Sequence, residues 1–185
     1  LCLFILLAAA MCFDSNREWK KYQREFYQLE AQLSPGSQHR TGPRLEIKQI
    51  VNEDLGVVDR CVTCHLGVDD PRFNKAPQPF RTHLNPEQHT FDKYGCTICH
   101  SGQGRATNKS AAHGHVKHWN HTLLEREYIE ASCVKCHKGS SPVLGPGIRL
   151  GKKLFTERAC VGCHKIDGRG GTIGPELTAV GERRN

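Results

Sequence analysis

The chain has 185 residues, a formal net charge of +7, 37% hydrophobic residues, 10 cysteines and 11 histidines. A chain of this size and apolar content buries only a modest core unaided, which excludes a large self-sufficient hydrophobic domain. The positive balance points to anionic partners, yet no basic patch is interleaved with aromatics, so a nucleic-acid partner is excluded.

In chain order, residues 1–13, LCLFILLAAAMCF, are unbroken apolar. Their length matches a signal-peptide core and falls short of the roughly 20 residues that span a bilayer. Because the sequence opens on leucine, upstream residues are expected, and the segment is read as part of an N-terminal transmembrane helix. A lipidated Cys12 fits less well, since LAAAM lacks a small residue directly before it. Next, NREWKKYQREFYQLEAQL sets Trp19, Tyr22, Phe26, Leu29 and Leu33 at spacings of 3 and 4, a helical stripe. That stripe packs either on its own domain or on a partner subunit, and the helix is expected to run on from the apolar segment. Arg17, Lys20, Lys21 and Arg24 follow that segment directly. By the positive-inside rule, compensating basic residues are expected upstream if this side is external. SPGS at 34–37 ends the helix, and residues 34–58 read as a linker with His39 on the surface.

One frame then recurs four times: CVTCH at 61, CTICH at 96, CVKCH at 133 and CVGCH at 160. Zinc sites and redox dithiols also use C-x-x-C, but neither requires the next residue to be histidine. With histidine at this frequency, chance supplies four such neighbours with probability on the order of 10⁻⁵. Covalent haem attachment needs all three groups: two thiols add across the vinyl groups of one haem edge, and the adjacent imidazole reaches the iron. The expectation is four haem c groups, on Cys61/Cys64, Cys96/Cys99, Cys133/Cys136 and Cys160/Cys163, with His65, His100, His137 and His164 as proximal ligands. Much of the core is then haem, and the basic charge is largely counter-charge. With about eight propionates and ferric iron, the net charge falls to about +3 oxidised and about −1 reduced. Covalent attachment of this kind places the frames on the outer side of an energy-transducing membrane, a bacterial periplasm or its equivalent.

Seven histidines lie outside the frames and are candidates for sixth ligands. Residues 111–132 hold four of them and read as a helix on which His115 and His118, or His118 and His121, share a face. PQPFRTHLNPEQHTFDKYG is a loop punctuated by proline and asparagine that carries His83 and His89. His83, His113 and His118 are the first candidates, with His89 next. DLGVVDR at 54–60 and ERRN at 182–185 read as solvated faces.

Residues 151–185 resemble the opening half of a class I cytochrome c: a helix with Leu154 and Phe155, the last frame, a glycine-rich loop, and Gly174-Pro175-Glu176-Leu177. The resemblance implies that Pro175 helps orient the His164 imidazole. It also implies a methionine ligand several dozen residues further on; Met11 is the single methionine here. Either the chain continues past residue 185, or the fourth haem takes another ligand or none.

REWKKYQREF, DRCVTCHLGVDDPRF, APQPFRTH, YGCTICHSGQGRAT and YIEASCVKCH resemble membrane-anchored multihaem c-type cytochromes that accompany Rieske and cytochrome b proteins in bacterial quinol-oxidising complexes. That resemblance implies integral-membrane redox partners, a soluble periplasmic electron carrier, and an inner-membrane location with the haem domain in the periplasm. The expected fold is mainly α with extensive loops. It has an anchor and amphipathic helix at 1–33, a linker at 34–58, a three-haem domain at 59–142 and a partial class I cytochrome c-like module at 143–185. The alternative function is a multihaem reductase, with an open-coordination haem acting on a small oxidised nitrogen or sulfur compound. No frame replaces histidine by lysine, and no Arg, Tyr and His cluster beside one frame marks an anion pocket.

Overall fold

The computed structural model describes residues 1–33, 44–83, 89–137, 145–178 and 180. His39, SPGS at 34–37 and ERRN at 182–185 lie outside the described residues. The chain is mainly helical with long loops, and it divides into two compact units, Leu1–Leu123 and Leu124–Asn185. Frames one and two lie in the first unit, and frames three and four in the second.

Helix α1 covers Cys2–Ser15, about 21 Å at 1.5 Å per residue. A hydrocarbon core is about 30 Å thick. No helix among the described residues is long and apolar enough to cross a membrane. Instead of running on into the next helix, α1 stops at Asn16, whose side-chain amide donates to the Cys12 carbonyl at 2.9 Å. Asp14, Ser15 and Asn16 have short polar side chains that compete for backbone groups, and they break the helix there.

Helix α2, Glu18–Leu33, buries Trp19, Gln23 and Phe26, with Tyr22 and Leu29 half-buried beside them. Leu33, the last residue of the expected stripe, is 47% exposed. The stripe packs on its own unit: Phe26 stacks on Phe73 at 4.7 Å between ring centroids and meets Phe80 at 5.8 Å. Phe26, Phe73, Ala76 and Phe80 form an apolar cluster just after frame one, edged by Tyr22, Tyr27, Leu29 and Leu66. Arg72 adds an ion pair to Glu30 of α2 at 3.1 Å. This aromatic seam is what holds α2 beside the first frame.

Strands β1, Ile50–Asn52, and β2, Val57–Asp59, pair antiparallel, with Ile50 opposite Asp59. Short helices α3, Phe91–Tyr94, and α4, Thr97–His100, follow, separated by Gly95. Helix α5 is a single turn, Lys109–Ala112. The helix expected over 111–132 does not form. Gly114 at φ +83° ends α5, His118 takes φ +64°, and a 3₁₀ stretch over Arg126–Lys135 comes only later. His115, His118 and His121 therefore share no helical face. Four histidines, a glycine and an asparagine within nine residues carry too little helix propensity to hold the segment.

In the second unit, α6, Pro146–Glu157, precedes the last frame, with Pro146 in its first turn. Glu130, from the 3₁₀ stretch, accepts from the Gly147 N–H at 2.9 Å and so caps α6. Helix α7 is Cys160–Cys163, and β3, Lys165–Ile166, pairs with β4, Arg169–Gly170.

Candidate haem-binding site

All four frames adopt the same local turn. In each, the histidine N–H donates to the carbonyl of the first cysteine: His65 to Cys61 at 2.9 Å, His100 to Cys96 at 3.0 Å, His137 to Cys133 at 2.8 Å and His164 to Cys160 at 2.9 Å. One helical turn closed this way keeps two thiols and the imidazole of each frame on one side of the backbone. That is the arrangement a thioether-linked haem requires.

The thiols of frame one are held above their ordinary range. Cys61 is pushed well above the ordinary thiol range by a hydrogen bond with the Cys96 thiol, by burial, and by the charges of Cys96 and Asp59. Burial, followed by the charge of Glu18, raises Cys64 to about 11. Redox dithiols and zinc thiolates have depressed values. Among the described residues, no three or more His, Cys, Asp or Glu side chains gather into a metal-holding group. Haem iron, held by four porphyrin nitrogens, asks for only two.

Burial lowers the His65 imidazole below the ordinary histidine range, and the neighbouring His113 and His100 lower it further; the Pro79 carbonyl, accepting from its ring, opposes them. His100 is lowered by burial and then by His83, against the pull of Asp59. Neutral imidazoles with a free lone pair are what metal ligation needs. The rings of His83 and His100 lie 5.8 Å apart between centroids, at 85°. His113 is half-buried, and burial, Lys109 and His115 hold it below the usual value. His89 packs on Tyr94 at 5.2 Å, and His118 lies exposed in its turn. Of the four sixth-ligand candidates, His83 has a ring contact with a frame histidine, and His113 reaches His65 through its charge.

At frame four, the His164 Nδ1 lies 3.0 Å from the Pro175 carbonyl oxygen. A proton on Nδ1 donated there leaves Nε2 free for iron. At frame four the imidazole is thus oriented by a proline carbonyl. The acceptor is main-chain, so the bond survives loss of the proline ring. Gly174 is the tighter constraint, because a Cβ there would sit 2.8 Å from the His164 ring. Gly174→Ala is expected to displace the imidazole and lower the potential or occupancy of the fourth haem, whereas Pro175→Ala leaves both nearly unchanged. Redox titration of the two variants checks this.

Two residues organise frames one and two, and sequence reading missed both. Asp59, at the end of a stretch expected to be solvated, is 0% exposed. Its Oδ2 accepts from the Cys96 N–H at 2.6 Å, the Thr97 N–H at 2.9 Å and the Thr97 hydroxyl at 3.1 Å. A carboxylate from the strand before frame one therefore caps the helix of frame two. Gly95 leaves it room: at φ +65°, a Cβ there would meet Asp59 Oδ2 at 2.3 Å. Gln23 of α2, also fully buried, donates to the Thr63 carbonyl at 3.0 Å and the Glu46 carbonyl at 2.6 Å, and accepts from the Glu46 N–H at 3.0 Å. Thr63 lies between Cys61 and Cys64, so α2 clamps the turn of frame one.

The cytochrome c family model matches residues 148–185, from within α6 through frame four and the Gly174-Pro175 loop. None of the curated proteins matches this chain. No solved structure matches it either. The matched segment has c-type cytochrome character, which implies covalently bound haem c and electron transfer as its general role.

Proposed function

We propose that the chain is a tetrahaem c-type cytochrome that relays electrons between a membrane complex and a soluble periplasmic carrier. The observation that carries this reading is the common turn of the four frames, one of which lies inside the cytochrome c match. Bound haem c supplies a reversible one-electron couple at each frame. The chain's own residues do the rest: cysteine pairs fix each group, the frame histidines ligate, and the carbonyl of Pro175 orients His164. Gln23 and Asp59 keep the first two frames rigid, which limits the reorganisation that a change of iron charge demands.

Helix α1 supports the membrane part of the proposal. Leu3, Phe4, Leu6, Met11 and Phe13 are each at least two-thirds exposed, and Ile5, 56% exposed, carries the apolar surface round to the other side. Such a helix belongs in lipid, where it forms part of an anchor in the bacterial inner membrane. The membrane partners on this reading are integral redox subunits of cytochrome b and Rieske type. The chain is expected to float with phospholipid vesicles, and a chain starting at Arg17 to remain in the soluble fraction.

The test of the relay is a spectroelectrochemical titration with electron paramagnetic resonance. Four reversible one-electron couples, all low-spin, are expected. A haem that is high-spin in the untouched protein and binds nitrite or sulfite would replace the relay with a reductase.

A further inference from the structure

The segment following frame one reaches frame two. His83 ends a stretch fixed by backbone bonds: its N–H donates to the Val68 carbonyl at 2.9 Å, and the Thr82 N–H donates to Phe73 at 3.3 Å. There its ring stands 5.8 Å from that of His100, with the Phe91 ring edge-on to His83 at 5.5 Å. Two metal–imidazole bonds of about 2.0–2.1 Å, with about 1.1 Å from each nitrogen to its ring centre, put paired axial imidazoles about 6.2 Å apart. The observed gap is within half an ångström of that separation, and planes at 85° match crossed axial rings.

We propose that His83 is the sixth ligand of the haem held by Cys96, Cys99 and His100, so that the polypeptide of frame one closes the coordination of frame two. The proposal rests on the tetrahaem reading above. It names one ligand for one iron, which that reading leaves open. Two further features agree with it. Asp59, just before frame one, already caps α4. The thiols of Cys61 and Cys96 are neighbours. The site of frame two is thus incomplete without the chain around frame one.

The test uses the full holoprotein with His83→Ala, His83→Met and, as control, His89→Ala. In His83→Ala, about one quarter of the haem is expected to become high-spin and to bind carbon monoxide, and added imidazole is expected to return it to low spin. His83→Met keeps the site ligated, so it remains informative if the alanine variant loads haem poorly. Its expected signature is a near-infrared methionine-to-iron band and one couple moved to higher potential. His89→Ala is expected to change none of these. In a chain that also carries Cys96→Ser and Cys99→Ser, His83→Ala is expected to add no high-spin haem.

The proposal is overturned if His83→Ala, with four haems confirmed by intact mass, stays wholly low-spin. It is equally overturned if the high-spin haem persists after frame two is removed. Peptide mapping that finds no haem on Cys96 and Cys99 would overturn the tetrahaem reading itself, a distinct result.

Discussion

Replacing Asp59 with alanine is expected to destabilise the first unit by about 3 kcal/mol and to reduce haem attachment at frame two. The carboxylate accepts two backbone N–H bonds and one hydroxyl bond at the start of α4. Its removal orphans three donors in a region that water does not freely reach, and each buried unmet donor costs about 1–3 kcal/mol. The cavity left beside Gly95 offers no replacement acceptor of matched geometry. Asp59→Asn keeps the shape and one acceptor oxygen, so a loss of about 1 kcal/mol is expected. Chemical denaturation of both variants, with haem stoichiometry measured in parallel, checks the order. Equal stability of the alanine variant and the parent would remove Asp59 from the account.

The second large effect is expected at Phe73. This ring is 0% exposed and stacks on Phe26 of α2. Truncating such a buried phenylalanine to alanine costs about 3–5 kcal/mol, from lost burial and from the cavity left behind. Because the Phe26–Phe73 stack ties α2 to the segment after frame one, Phe73→Ala also loosens the Gln23 clamp on Thr63. Faster proteolysis around 29–33 is expected to accompany the loss of stability. Leu33→Ala, at a position 47% exposed, is expected to cost less than about 0.5 kcal/mol.

What the sequence revealed follows the range of the interactions. The frames were legible because their chemistry is local: five residues, one turn and one bond from histidine to the first cysteine. The α2 stripe was legible from its period, although which surface it covers was not. Phe26 meets its partners 47 and 54 residues away at Phe73 and Phe80, and no local pattern encodes that pairing. Asp59 and Gln23 were invisible for the same reason. Their roles depend on contacts 37 to 40 residues distant, and in a sequence each is an ordinary polar residue. The histidine-rich stretch misled in the opposite sense. Its spacing fits a helix, while Gly114 and His118 adopt backbone conformations that a helix forbids. His83 was legible as a candidate, because four frames demand ligands, but its closeness to His100 is a product of the fold.

The most direct measurement is the intact mass of the natively matured chain, followed by proteolytic mapping of its haem peptides. Four covalent haems, one on each peptide bearing Cys61 and Cys64, Cys96 and Cys99, Cys133 and Cys136, and Cys160 and Cys163, are the predicted result. A single haem on the Cys160–Cys163 peptide, with the other six frame cysteines free, would contradict it.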